Sequence, residues 1–506
     1  MAHRLMATDR IEALLHRHRY AFLVTWSICF AVLAAPRAAA KPFWHDEIYT
    51  LLLARLPSIS AHWSALRDGV DFAPPLNGFA TRAVRHIAGT GPIAARVPAI
   101  IGFWTMAVVI FVVVSERGCA TLGFAAMCLP LFTAGYRYSY EARPYGLMMG
   151  LAALAWFAWL RSAAGQRRGV FLPVLGVSLA AGLWNHYYAA LVYVPIVAGE
   201  LTRATRARRI DGPLWTVVGG SLLAAAPLAP LIRLSAVGTA HFWVAPTFAD
   251  VPASYAFLFR DLFEVLAWPM AAVGALAAWG RFRSRPSTLD RTPIPAYEIV
   301  AVGACLLIPL FGVLIALFAT GGFVPRYGLP AVFGAGVALP VGIDRFARGW
   351  LAARLSLLVV LVLNVIWSVP PFSPVQPFVN PVDARPLLAS SLRQPGHTVV
   401  SGELMFLQLW YYAPVEDRTQ LVYLADPTRA LRYRGSEIVD LNYLALARWT
   451  SVPVDRFDSF VQTHDQFRVY ASGSGWQLDS LRDLPAMVEP AGAEPGGKLF
   501  NVRPVR

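Results

Sequence analysis

Apolar residues along this chain fall into repeated runs of about 20 residues, separated by short polar links. A run of that length crosses a bilayer as one helix, and a helix apolar on every side needs lipid or protein all round it. Spans are predicted near 21–40, 94–114, 121–136, 144–161, 169–186, 187–201, 213–234, 262–280, 297–319, 327–344 and 352–370, about eleven in all. The break between the fifth and sixth rests on Trp184-Asn185-His186-Tyr187-Tyr188. Residues 41–93 form a long loop with helical texture. Ile48, Leu51, Leu52 and Leu56 make one apolar face, and Trp63, Leu66, Leu76, Phe79, Val84 and Ile87 continue it, as in short helices lying at a membrane interface. After Val369-Pro370-Pro371 the pattern changes. Short strand-like runs, His397-Thr398-Val399-Val400 and Gln466-Phe467-Arg468-Val469-Tyr470, alternate with helical stretches, and Ser474–Gly497 is rich in turn formers. The fold class is therefore an α-helical polytopic membrane protein, with residues 1–370 in the membrane region and 371–506 as a small α/β domain outside it.

Composition agrees with that pattern. Of 506 residues, 57% are hydrophobic and 15% charged, too apolar for a soluble chain of this size. The net charge of +14 would suit nucleic acid if it were clustered on one face, but most arginines sit in short links between spans. One set of links holds Arg4, Arg10, Arg17, Arg19, Arg117, Arg161, Arg167, Arg168, Arg203, Arg206, Arg208, Arg209, Arg281, Arg283, Arg285, Arg291, Arg345, Arg348 and Arg354. The opposite short links hold Arg137, Arg143, Arg260 and Arg326. The positive-inside rule puts the first set, and the N-terminus, in the cytoplasm, and puts 41–91 and the C-terminal domain outside. Arg55, Arg67, Arg82 and Arg85 in the first outer loop run against the rule. The basic stretch Met1–Tyr20 before an apolar run reads as a signal anchor in a bacterial inner membrane. The four cysteines, Cys29, Cys119, Cys128 and Cys305, lie in or beside apolar spans and read as small core residues.

Three polar clusters fall on the outer side. The first is Phe43-Trp44-His45-Asp46-Glu47-Ile48, with adjacent carboxylates just after the first span. Charge at that depth is costly unless solvated or used. One carboxylate can accept a hydroxyl proton while its neighbour positions a polar group or an ion; the plainer alternative is an interfacial helix start, where both acids suit the helix N-terminus. The second is Tyr138-Ser139-Tyr140-Glu141-Ala142-Arg143-Pro144-Tyr145. Pro144 suits the first turn of the fourth span, so that Arg143 can grip a phosphate beside free helix N–H groups. The third is Pro325-Arg326-Tyr327-Gly328, where Arg326 is a second phosphate contact or a snorkelling anchor. His186 and Tyr187 lie at the same depth as substrate-binding candidates. Asp71-Phe72-Ala73-Pro74-Pro75-Leu76 reads as shaping the first loop, with Pro75 opening a helix.

On these motifs the chain resembles the GT-C superfamily of membrane glycosyltransferases. It most resembles the branch holding the protein O-mannosyltransferases and the lipid A aminoarabinose transferases, a family 39-like layout, over most of residues 40–345. The resemblance rests on His45-Asp46-Glu47, Pro74-Pro75-Leu76, Glu141-Ala142-Arg143-Pro144-Tyr145, Arg326-Tyr327 and Leu329-Pro330. It implies a polyprenyl-phosphate sugar donor, an outward-facing site and a lipid, glycan or protein acceptor, with no nucleic acid. It implies catalytic roles for Asp46, Glu47 and Glu141, with Asp46 as base, and donor-phosphate binding by Arg143, Arg326 and Tyr327. No cofactor follows from it with certainty. A divalent metal beside Asp46 and Glu47 would lack a full ligand set in the sequence. The competing classes are a transporter or lipid flippase and a membrane-anchored binding protein. Transporters often show two similar halves, and no such similarity is visible here.

Overall fold

The computed structural model describes residues 13–238, 244–283, 293–346, 351–367, 391–392, 394–471, 473, 475–494 and 496–505. The basic N-terminus to residue 12, the links holding Arg285, Arg291 and Arg348, and the expected boundary at 370 and 371 lie outside the described residues.

Five helices are long and apolar enough to cross a membrane: Arg19–Ala40, Pro92–Arg117, Pro144–Ala163, Arg168–Asn185 and Gly212–Ala236. A sixth is the pair Ala296–Leu306 and Ile308–Thr320, bent by 54° where Pro309 withholds a backbone donor. The chain is a multi-pass membrane protein. The expected number of about eleven is not reached by length and apolarity among the described residues. Ala120–Phe132 is apolar but short, Tyr193–Ala207 carries Glu200 and Arg203, and Ala331–Phe346 contains Pro340.

Close packing fixes the part of the bundle that matters for the site. Gly102 on Pro92–Arg117 faces Gly146 and Gly150 on Pro144–Ala163, and a Cβ on any of the three would overlap the opposite backbone. Small residues at such spacing let membrane helices touch main chain to main chain. The contact sets Arg96, near the start of one helix, beside Glu141-Ala142-Arg143, just before the other.

The two ends of the bundle differ. At one end the arginine-rich links are laced by ion pairs: Arg117 Nε with Glu298 Oε2 at 2.7 Å, Arg168 Nη2 with Asp211 at 2.6 Å, Arg203 Nη2 with Asp211 at 2.7 Å, and Arg354 with Asp344 at 2.6 Å. At the other end lie three short helices, His45–Ala54, Ile59–Arg67 and Leu76–Ala88, the last opened by Pro75 as its N-cap. Their arginines are engaged locally. Arg82 donates to the carbonyls of Leu56 and Pro57, Arg85 donates to Thr90 O, and Arg55 donates to Tyr411 Oη. Local bonding accounts for Arg55, Arg82 and Arg85 without a topological role.

The C-terminal region is a six-stranded sheet: β1 Thr398–Ser401, β2 Leu421–Ala425, β3 Val454–Arg456, β4 Phe467–Ala471, β5 Ala486–Glu494 and β6 Gly497–Pro504. The order is β3-β2-β1-β4-β6-β5. The first four strands are parallel, and β6 pairs antiparallel with both β4 and β5. Strands β1, β2 and β4 are buried at every position, as parallel strands covered on both faces must be. The expected strands at 397–400 and 466–470 are β1 and β4. The expected turn-rich stretch Ser474–Gly497 instead contains the helix Trp476–Arg482 and β5. Its Pro490 and Gly492 sit at a register shift on the edge strand, where such residues are tolerated.

This region docks on the first loop. Ile48, Tyr49, Leu51 and Leu52 share one apolar core with Phe406, Leu407, Trp410, Tyr443 and Leu446. Polar bonds fix the join: Phe43 N donates to Tyr412 Oη at 2.6 Å, Asn442 Nδ2 to Gly69 O at 2.6 Å, and Trp449 Nε1 to Asp68 Oδ2 at 3.0 Å.

Candidate active site

The site is built where Lys41–Tyr49, Asp71, Glu141–Tyr145, His186–Tyr188 and Arg326–Tyr327 converge. The helix His45–Ala54 starts right after the first span, with Asp46 and Glu47 in its first turn. Adjacent helix positions point about 100° apart, so the two carboxylates leave the helix in different directions.

Glu47 turns inward and is fully buried. Its Oε1 accepts from Arg96 Nε at 2.8 Å and from Ala142 N at 2.7 Å. Its Oε2 accepts from Arg96 Nη2 at 2.9 Å and from Trp44 N at 3.0 Å. The last bond is half of a capping box at the helix start. Arg96, also fully buried, donates further to the carbonyls of Ala38, Lys41 and Pro42. Glu141 turns the same way and is ion-paired with Lys41, both side chains being buried. Glu47 and Glu141, both expected to be catalytic, thus have hydrogen bonds and ion pairs that join the first loop, the second loop and the first span.

Asp46 turns outward, with its side chain 30% exposed. Its Oδ2 lies 3.4 Å from Arg143 Nη2, its Oδ1 lies 3.3 Å from His45 Nδ1, and its carbonyl accepts from Arg143 Nη1 at 3.1 Å. Burial pushes this carboxyl up, but Arg143, His45 and Arg326 outweigh it and hold the group well below the usual carboxylate range. Arg143 is the N-cap of Pro144–Ala163, with Pro144 opening that helix as expected. Its Nη1 also lies 3.9 Å from Asp71 Oδ2, and its buried Nε has no hydrogen-bond partner. One ordinary hydrogen bond and two longer ion-pair contacts thus hold the guanidinium, and it keeps donor capacity for a further anion.

Arg326 reaches the cluster from the turn Pro325–Gly328 and donates from Nε to Tyr145 Oη at 2.7 Å. Rings surround it. Tyr327 stacks on Tyr188 with centroids 4.5 Å apart and lies 4.9 Å from His186, and Tyr145 lies 4.9 Å from Tyr138. His186 Nδ1 accepts from Tyr188 N at 3.2 Å, which leaves the other ring face toward Tyr145 and Tyr327. Tyr187 packs on the first-loop core, and its buried hydroxyl has no hydrogen-bond partner. Asp46, Arg143, Arg326, Tyr327 and His186 are therefore brought together, while Tyr187 stands to the side. Among the described residues no three His, Cys, Asp or Glu side chains converge as a metal ligand set.

No family model matches the chain, and no curated protein matches it. Solved structures do. ArnT from Cupriavidus metallidurans in the apo state matches with a TM-score of 0.53 and 12% identity, over 94% of this chain and 98% of that one. ArnT from Cupriavidus metallidurans bound to undecaprenyl phosphate matches with a TM-score of 0.52 and 13% identity, over 95% and 97%. The chain has the ArnT fold. The expected architecture, a helical multi-pass region followed by a small C-terminal α/β domain, is thus the one found.

Two further residues support the site. Arg96 falls inside the expected span 94–114, where a guanidinium is costly without a partner, and that cost is the signal that marks it. His45, expected only within the His45-Asp46-Glu47 motif, has its Nε2 3.2 Å from Tyr443 Oη. Tyr443 donates its own hydrogen to Glu403 O at 2.6 Å, so its oxygen is free to accept from His45. The C-terminal region therefore reaches Asp46 through one histidine.

Proposed function

We propose that this protein is an inverting glycosyltransferase that moves a sugar from a polyprenyl-phosphate donor to an acceptor hydroxyl outside the cytoplasm. The observation that carries the reading is Arg143 and Arg326 beside Asp46 at one end of an ArnT fold, with Arg143 Nε left without a partner. ArnT has been solved bound to undecaprenyl phosphate, a ligand whose headgroup two such arginines would suit. The end laced with Arg–carboxylate pairs would face the cytoplasm of a bacterial inner membrane, and the site the opposite side.

In this reading the two guanidinium groups take the charge that develops on the departing phosphate. That phosphate is already a stable anion, so no protein acid is required. Tyr327, Tyr145 and His186 wall the headgroup site, and the prenyl tail lies among the apolar spans. One displacement inverts the anomeric carbon. The charges gather at one end of the bundle and not at its midplane, which argues against a transport path.

The test is consumption of polyprenyl-phosphate sugars in native membranes, followed by mass spectrometry. Membranes holding the wild type should consume the donor. Arg143→Ala at equal expression should slow this about 10²–10³-fold, as removing a charge-stabilising donor does. A wild-type rate in that variant would contradict the reading.

A further inference from the structure

A transfer to a hydroxyl needs a group to take its proton, and two carboxylates stand beside Arg143. Asp46 is engaged at both oxygens, by Arg143 at 3.4 Å and by His45 at 3.3 Å, and lies in the field of Arg326. With these positive neighbours favouring its anion, Asp46 is a weak base. Asp71 is held differently. Its Oδ1 accepts from Ala73 N at 3.1 Å within its own turn, and its Oδ2 stays 3.9 Å from Arg143, beyond a hydrogen bond.

The surroundings of Asp71 suit proton exchange. It lines a cavity of about 20 Å³ with Thr50, His62, Asn77 and Arg143, room for about one water molecule. Its neighbour Phe72 lines a second cavity of about 700 Å³, bounded by Asp68, Leu441, Arg448 and Asp455, a size that holds a small ligand or headgroup. The consecutive residues Asp71 and Phe72 thus line the small cavity beside Arg143 and the large one, a space of acceptor size. The buried hydroxyls of Tyr49 and Tyr187 have no partner, and both lie within electrostatic reach of Asp71.

We propose that Asp71 is the general base of the transfer and Asp46 the fixed anion that orients Arg143. The assignment rests on the transfer reading above. The acceptor O–H gives its proton to Asp71 as its oxygen bonds to the anomeric carbon. The bond from that carbon to the phosphate oxygen breaks, and its electron pair leaves on the polyprenyl phosphate, against Arg143 and Arg326. Asp71 then passes the proton to water.

Electrostatics agree with this division. Burial, with the like charge of Asp46, pushes the Asp71 carboxyl up against the pull of Arg143. The groups facing it are Arg143 from the second loop, Asp46 and Tyr49 from the helix His45–Ala54, His62 from Ile59–Arg67, and Tyr187. Two acids with environments that push them apart are a pattern of divided labour.

The experiment is the rate of donor consumption against pH, with the full chain in native membranes, together with binding of undecaprenyl phosphate to each variant. In the wild type the rate should rise with pH as Asp71 ionises, then level off. Asp71→Asn should lose that rise and fall about 10²–10⁴-fold, with lipid-phosphate binding intact, and Asp71→Glu should recover part of the rate. Asp46→Asn should keep the rise but move it to lower pH, because one negative neighbour of Asp71 is gone. A rise lost in Asp46→Asn and kept in Asp71→Asn overturns the assignment, as does a wild-type rate in Asp71→Asn or loss of lipid binding there. A wild type that consumes no donor overturns the transfer reading itself, and the base with it.

Discussion

Asp46 and Glu47 are neighbours in sequence, and each faces an arginine, yet the two sides of this one helical turn do opposite work. On the inner side Glu47 and Arg96 are fully buried, and each acidic oxygen has two donors. On the outer side Asp46 and Arg143 keep 30% and 13% of their side chains exposed, their contacts run to 3.4 Å and beyond, and Arg143 Nε has no partner. A saturated ion pair has nothing left to offer a ligand, and an unsaturated one does. Composition cannot separate them, because the residue types are the same. Coordination can.

Removing Glu47 should break the comparison most severely. Glu47→Ala leaves the Arg96 guanidinium buried without its carboxylate, a loss of about 3–5 kcal/mol by analogy with other buried pairs. The thermal midpoint of the purified protein should drop sharply, whereas Asp46→Ala should leave it nearly unchanged. Equal drops in both would show that the two sides are not different. A smaller effect comes from the C-terminal region. Tyr443→Phe removes the hydroxyl that meets both His45 and the Glu403 carbonyl, bonds of about 1 kcal/mol each, so stability should fall by about 2 kcal/mol and donor consumption should slow about 5-fold. An unchanged rate would mean that the C-terminal region does not reach the outer carboxylate in any way that counts.

Much of the outer side was legible in the sequence. Asp46, Arg143 and Arg326 stand out because charge at the edge of an apolar span is expensive, and Pro144 marked the helix start beside Arg143. The inner side was not. Nothing in Asp46-Glu47 says which acid turns toward Arg96, since that depends on the phase of a helix against a span beginning 45 residues later in the chain at Pro92. Asp71 was legible only as a turn former, because its bond to Ala73 N explains it locally. Tyr443 lies 398 residues from His45, a distance that only folding closes. In the C-terminal region β1 and β4 showed as compact apolar runs. β5 was hidden by Pro490 and Gly492, which an edge strand tolerates and a central one does not. The number of spans is not legible from apolarity alone, because Ala120–Phe132 is short for a crossing and Tyr193–Ala207 carries Glu200 and Arg203.

The most direct measurement for the whole account is the affinity of the purified protein for undecaprenyl phosphate, compared with Arg143→Ala, Arg326→Ala and the double variant. The wild type should bind, each single change should weaken binding about 10–100-fold, and the double variant should weaken it further. Undiminished binding in the double variant would mean that these guanidinium groups do not meet the lipid phosphate, and the outer side would lose its function.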